Sequence, residues 1–289
     1  MKLIRFHILC ISLVVICTGC YPVGSLYQLP PPNMPLPFSP GETKLNTYLS
    51  SLGYGIPASC AIDSHFVMMV NVNGQNTQYN RWYPANDDPT LTTMLTNFQG
   101  DIGGGYYKHW DTMVRFEILG GIGYSNGDYY DVSPSINGEY NSTTVASGQF
   151  IHLLLQSDVG LVGKHLELAV GLRLSNLVAK TNYNFTYYDP GSSVQQNYFL
   201  NETGDALFLE PYLTFAGGFK NVKFIASVTL SGKIFGPDIN LPSDTQYSGQ
   251  YRYQYGGQYP GDGIAGSLYQ NFNFSLGLLI NINRKDITR

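Results

Sequence analysis

The Cys20 thiol is the side chain of this sequence whose surroundings most clearly announce a chemical event. Lys2 and Arg5 precede an apolar run from Ile8 to Ile16, and Cys17-Thr18-Gly19-Cys20 closes the segment. A basic stretch, a short apolar stretch and small residues ahead of a cysteine form an export signal in which the cysteine takes up lipid. Residues 1–19 are then removed, and the covalent lipid on Cys20 is the one attached group expected. The apolar run is too short for a permanent transmembrane helix, which needs about 20 such residues.

Other reactive types fall in poorer company. Gly123-Tyr124-Ser125-Asn126-Gly127 fits G-x-S-x-G, a pattern that places a nucleophilic Ser on a strand-to-helix turn, but no helical pattern follows it. His152 and Asp158 share a face of one predicted strand, where six residues separate them by about 20 Å, too far for a hydrogen bond. His65, His109 and His165 fall in or beside predicted turns with no metal-ligand spacing. Gly103-Gly104-Gly105 and Gly120-Gly121 precede no helix, so they read as bends in a sheet and not as phosphate cradles. Cys60 is the one thiol left in the body of the chain and reads as a small apolar residue. No catalytic residue, metal site or enzymatic activity is expected.

Charge and composition narrow the partners. Taking Lys2 and Arg5 from the 16 Lys and Arg leaves 14 basic against 20 acidic side chains, a formal charge of about −6. With no basic run to neutralise phosphates, nucleic acid is excluded as a partner. Charged residues are only 12% of the chain, against about a quarter in ordinary soluble domains, while Gly (32) and Tyr (23) abound. Much of the surface is therefore expected to face something other than water.

The elements that position these residues are strands. Residues 20–42 carry seven prolines from Pro22 to Pro40, which forbid a helix or a central strand and favour an extended tether. From residue 43 the pattern has a period of two. Leu166, Leu168, Val170, Leu172 and Leu174 alternate with Glu167, Ala169, Gly171, Arg173 and Ser175; Phe272, Phe274, Leu276, Leu278, Ile280 and Ile282 alternate with Asn273, Ser275, Gly277, Leu279, Asn281 and Asn283. Such strands exceed the usual five or six residues of soluble sheets. Tight turns are predicted at Asp63-Ser64, Lys108-His109-Trp110-Asp111, Gly163-Lys164 and Lys220-Asn221. Long polar loops are predicted at about residues 77–96, 126–145, 184–203 and 237–265. Short turns on one rim and long loops on the other are the asymmetry of a membrane β-barrel.

Within lipid every backbone polar group must be paired internally, so a period of two implies an all-β, antiparallel, up-and-down closed barrel of the outer-membrane type. The divisions expected are a signal at 1–19, the lipidated Cys20 and Pro-rich tether at 20–42, the barrel at 43–284 and a tail at 285–289. Residues 64–284 supply eight strands. Residues 43–61 add one strand, or two if broken near Ser51-Leu52-Gly53; parity favours two, which makes ten and leaves both barrel ends on the short-turn side, consistent with an inner-leaflet lipid. Charged groups must then face the lumen. Arg115, Glu117, Asp158, Glu167, Arg173 and Glu210 are expected to form a Glu/Arg lattice that fills it, with a selective pore or ligand site as the alternative.

The lipid-acceptor motif, the Tyr21-Pro22 to Met34-Pro35-Leu36 segment, Asp63-Ser64-His65-Phe66, and Leu209-Glu210-Pro211 leading to Gly217-Gly218-Phe219-Lys220-Asn221-Val222-Lys223-Phe224 together resemble the outer-membrane β-barrel lipoprotein family of Bacteroidetes. Cys17 departs from the Leu or Val usual before the acylated cysteine, and the last strand lacks the terminal aromatic of barrel assembly signals. Tyr21, in place of Asp, permits sorting to the outer membrane by the same likeness. The resemblance implies a lipid-anchored protein in contact with outer-membrane lipid, other envelope proteins or surface glycans, in a structural or accessory role, and brings no catalytic residues. The other readings are a soluble-type lipoprotein barrel or sandwich around an apolar or glycan ligand, and a small-solute pore.

Overall fold

Alternation gives each strand an apolar and a polar face, and the chain satisfies both by closing a single sheet on itself. The computed structural model describes residues 30–34, 36–37, 39–50, 53–81, 91–134, 141–189, 194–236 and 272–283. Its strands are β1 (Thr43–Ser50), β2 (Gly53–Gly55), β3 (Ala58–Ala61), β4 (Phe66–Arg81), β5 (Leu91–His109), β6 (Val114–Pro134), β7 (Asn141–Val162), β8 (Leu166–Asp189), β9 (Val194–Gly218), β10 (Val222–Leu230), β11 (Gly232–Phe235) and β12 (Phe272–Ile282).

All pairing is antiparallel: β2 and β3 both lie between β1 and β4, the strands from β4 to β9 pair in sequence order, β10 and β11 both pair β9, and β12 closes the cylinder by pairing β10 on one side and β1 on the other. The result is a closed ten-stave barrel in which two staves are interrupted, one at Pro57 and one at Ser231, beside Pro211 of the neighbouring stave. Pro57 separates β2 from β3, while Ile56 N–H to Val72 O and Asn46 N–H to Pro57 O, both 2.8 Å, hold the ladder across the gap. Pro211 in β9 stands where β10 passes into β11, and its missing N–H removes a rung there.

Glycines allow the tightest approach between staves. Gly103 lies opposite Gly121 and Gly105 opposite Leu119, and a Cβ on Gly105 would fall on the Ile118 carbonyl. This is the bend expected of the glycine runs.

Outside the wall, Leu153, Leu155, Val159 and Leu161 on β7 and Leu166, Leu168, Val170 and Leu172 on β8 are solvent-accessible in the isolated chain, as are Leu213, Phe215 and Phe224. Along β8 this face runs from Leu166 to Val178 before Lys180, interrupted by Asn176, about 40 Å of strand, or about 30 Å of height at a tilt near 40°. That height matches the hydrocarbon thickness of a bilayer. At the short-turn rim Trp110 stacks on Phe116 at 5.8 Å and His65 on Tyr106 at 5.7 Å, with Phe66 and Phe219 exposed beside them.

The turns are where the sequence places them, the second shifted to residues 110–113 because Lys108 and His109 finish β5. The loops need correction. Pairing continues to Arg81–Leu91, Pro134–Asn141 and Asp189–Val194, so most of residues 77–96, 126–145 and 184–203 is strand. The wall there rises well above the apolar band as β-ribbon, with polar Asn126, Asp128, Lys180 and Asn182 outward. The predicted 237–265 loop, the 285–289 tail and Cys20 lie outside the described residues.

Candidate functional site: a strapped, charge-lined lumen

The lumen holds the inward face of every stave and a length of the chain's own N-terminal segment. Pro30, Pro31, Pro32, Asn33, Leu36, Pro37 and Ser39 are all buried. The described part of the tether thus runs inside the barrel, as a strap. Proline makes this workable: a wall whose N–H and C=O groups are spent on its own ladders has none to offer a second strand, and a proline-rich segment brings few donors that need partners. Its carbonyls are met by side chains. Arg173 Nη2 donates to Pro30 O at 2.9 Å and Gln156 Nε2 to Asn33 O at 2.6 Å. Asn33 Nδ2 donates to Ala58 O and to Asn71 Oδ1, both at 3.0 Å.

Lower down, Leu36 N–H donates to Glu117 Oε2 at 2.8 Å, and the Leu36 side chain packs on Val162 and Ala169. Leu36 has φ 28°, a strained left-handed value for a leucine, held by these surroundings. Gly41, at φ 77°, then turns the chain into β1, with Gly41 N–H on Ala61 O at 2.9 Å. Two gaps beside the strap, of about 20 and 10 Å³, have room for a water or two.

All six residues expected inward are buried, but their pairing differs from the lattice envisaged. Arg173 and Glu210 stand opposite each other on β8 and β9 and are joined through Arg173 Nε and Glu210 Oε2. Glu117 and Asp158 are also directly opposite, on β6 and β7, as two carboxyl groups side by side. Like groups at such a position repel; Leu36 N–H on one and Gln156 Nε2 on the other, at 2.8 Å, offset this. Arg115 turns away from the lattice to cap the 110–113 turn, its Nη1 donating to Asp111 O at 2.6 Å and Val114 O at 3.0 Å, its Nη2 to Thr112 O at 3.0 Å.

Glu167 is bridged by two residues that the sequence reading missed: Lys44 Nζ at 2.7 Å from β1 and Lys223 Nζ at 2.5 Å from β10. β1 and β8 are not neighbours, so this triad spans the cavity. The inward register of Lys44 and Lys223 carried a signal for their burial, but nothing local tied them to Glu167.

A second missed cluster lies higher. His152 Nε2 is 2.7 Å from Asp101 Oδ1, Gln99 Nε2 donates to Asp101 Oδ1 at 3.3 Å, and Asn71 Nδ2 donates to Asp101 Oδ2 at 3.2 Å. Gly123 makes the room, since a Cβ there would overlap both Asp101 and His152. His152 is thus engaged by Asp101 from β5, not by Asp158. Ser125 is a buried, lumen-facing residue within β6, with no strand-to-helix turn around it. Cys60 is exposed on β3.

At the short-turn rim Asp63 Oδ1 accepts the N–H groups of His65 at 2.6 Å and Phe66 at 2.8 Å. These two bonds favour the ionised form and hold the Asp63 carboxyl below the usual carboxylate range.

Fold and lumen together define a closed β-barrel of the outer-membrane type whose interior is filled by charge pairs and a strap of its own chain. No protein-family model matches the sequence, and no curated protein matches it. Solved structures do match, among them the copper transporter OprC, at 8% identity and a TM-score of 0.21, over 87% of this chain and 42% of that one. The chain thus spans less than half the length of that protein, and a likeness at this level carries no inference about activity.

Proposed function

We propose that this chain is a lipid-anchored outer-membrane barrel, closed to solutes, with a structural or accessory role in the cell envelope, exercised alone or within a larger complex. The observation that carries the reading is the division of side chains across the wall: a bilayer-high apolar band outside, and paired charges with a buried strap inside. A filled interior suits a scaffold or docking platform better than a conduit. The lipid anchor rests on the Cys17-Thr18-Gly19-Cys20 motif and on the resemblance to Bacteroidetes lipoproteins.

The soluble-type alternative needs the apolar faces to line a core or cavity. Leu153, Val170 and Leu213 instead lie on the outside of the wall. The pore alternative needs the strap withdrawn.

Two experiments test the proposal. Cys20→Ala protein is fractionated on density gradients with carbonate washing; retention with outer membranes is expected, and release into the soluble fraction would count against a membrane barrel. In planar bilayers the intact protein is expected to be silent, while deletion of residues 30–39 produces steps of conductance. Steps from the intact protein would favour the pore.

A further inference from the structure

We propose that the chain ahead of Pro30 leaves the barrel through the long-loop rim, so that the N-terminal segment, with any lipid on Cys20, lies on that face although β1 begins at the opposite one. The membrane part of this statement rests on the proposed function; the threading itself rests on the lumen alone.

The strap has a measurable direction. Gly41 bonds Ala61, the residue before the first short turn. Leu36 meets Glu117, three residues into β6, and packs on Val162, the last residue of β7 before its turn. Asn33 meets Ala58 and Asn71, the latter five residues into β4. Pro30 meets Arg173, seven residues into β8, and with Pro31 it shares a gap with Ser50 and Gly53 at the top of the β1–β2 hairpin. From residue 42 back to residue 30 the chain therefore climbs steadily from the short-turn rim.

Crowding opposes a return past the strap: below Pro30 the lumen holds residues 31–34, 36–37 and 39 with the Lys44–Glu167–Lys223 and Glu117–Asp158 groups, and the two gaps beside them, about 20 and 10 Å³, are each too small for a second pass of polypeptide. Upward the way is short. Seven residues of tilted strand put Pro30 about 18 Å above the lower rim of a band about 30 Å high, and the ten residues from Cys20 to Leu29 reach up to about 33 Å. The parity of the strands fixes Thr43 at the short-turn rim, opposite Ile282. The strap reverses that choice for everything upstream, which would set the acyl chains in the outer leaflet and not the inner one.

The test uses cysteine pairs in full-length Cys60→Ser protein. In the purified barrel, a short bismaleimide is expected to join Ser25→Cys to Ser51→Cys, at the β1–β2 tip, and not to Asn221→Cys, in the short turn of the far rim. A cross-link to Asn221→Cys, or to neither, overturns the threading. In intact cells, a membrane-impermeant maleimide is expected to label Ser25→Cys and Asn137→Cys alike, with labelling of Asn221→Cys lost until the cells are permeabilised. If Ser25→Cys behaves like Asn221→Cys, the exit is overturned. If Asn137→Cys and Asn221→Cys label equally while the Ser25–Ser51 cross-link forms, the threading stands and the outer-membrane reading falls.

Discussion

Leu36 and Glu117, 81 residues apart in sequence, are joined by a 2.8 Å hydrogen bond that ties the strap to the wall. The bond satisfies a buried backbone donor at a strained φ, and it places a neutral donor beside the Glu117–Asp158 pair. Glu117→Ala removes the acceptor and leaves that N–H buried, a cost of about 1–3 kcal/mol. The expected outcome is a lower unfolding midpoint together with intermittent conductance in planar bilayers as the strap loosens; a stable and silent variant would show that the bond is dispensable.

Arg173 joins wall to wall and wall to strap, through Glu210 and Pro30 O. Both charged groups are almost fully buried, so truncating one leaves the other uncompensated, at about 3–5 kcal/mol. Arg173→Met is expected to lower the temperature at which the folded barrel unfolds on semi-native gels. The double variant Arg173→Met with Glu210→Met recovers much of the loss, because no bare charge remains.

The Lys44–Glu167–Lys223 triad bridges staves that do not touch. Its members share one carboxylate, so their substitutions are expected to be non-additive, with coupling of about 0.5–3 kcal/mol in a double-mutant cycle. Denaturant unfolding of Lys44→Met, Lys223→Met and the pair measures it, and simple additivity would mean that each lysine acts alone.

Asp63 supplies the pH dependence outside the membrane band. Its folded pKa lies below its ordinary value because His65 and Phe66 N–H groups bond the carboxylate. The turn's contribution is therefore full above the ordinary carboxylate pKa and is lost as pH falls through the lower folded value. Carboxyl NMR titration in micelles should give the depressed value, and Asp63→Asn should flatten the acid-dependent opening of this turn to protease.

The lumen and the ribbon regions mark where sequence reading stops. Arg115, Glu117, Asp158, Glu167, Arg173 and Glu210 could be assigned to the inside because a charge has only one tolerable face on a strand in lipid. Their partners could not, since Lys44 reaches Glu167 across the cavity, a relation set by closure of the sheet and by no local spacing. Above the band the outer face meets water while Leu95, Ala146 and Tyr183 stay buried on the inner face, so the outward apolar alternation ceases. Tyr, Asn and Gly-rich strand such as Asn126 to Asp131 then reads as loop although it is fully paired.

By itself the sequence determined the period of two and the alternation of rims, and the parity of short and long connections favoured ten staves over nine; closure of the sheet decided for ten, with Thr43 and Ile282 at the same end. The period and the rims follow from local chemistry: which side chains tolerate lipid, and which residues turn a chain. Only the tertiary structure decided what occupies the lumen. A proline-rich segment has few donors and no apolar period to say whether water or a barrel surrounds it; its place is fixed by Arg173, Gln156 and Glu117, which the fold alone brings together around it.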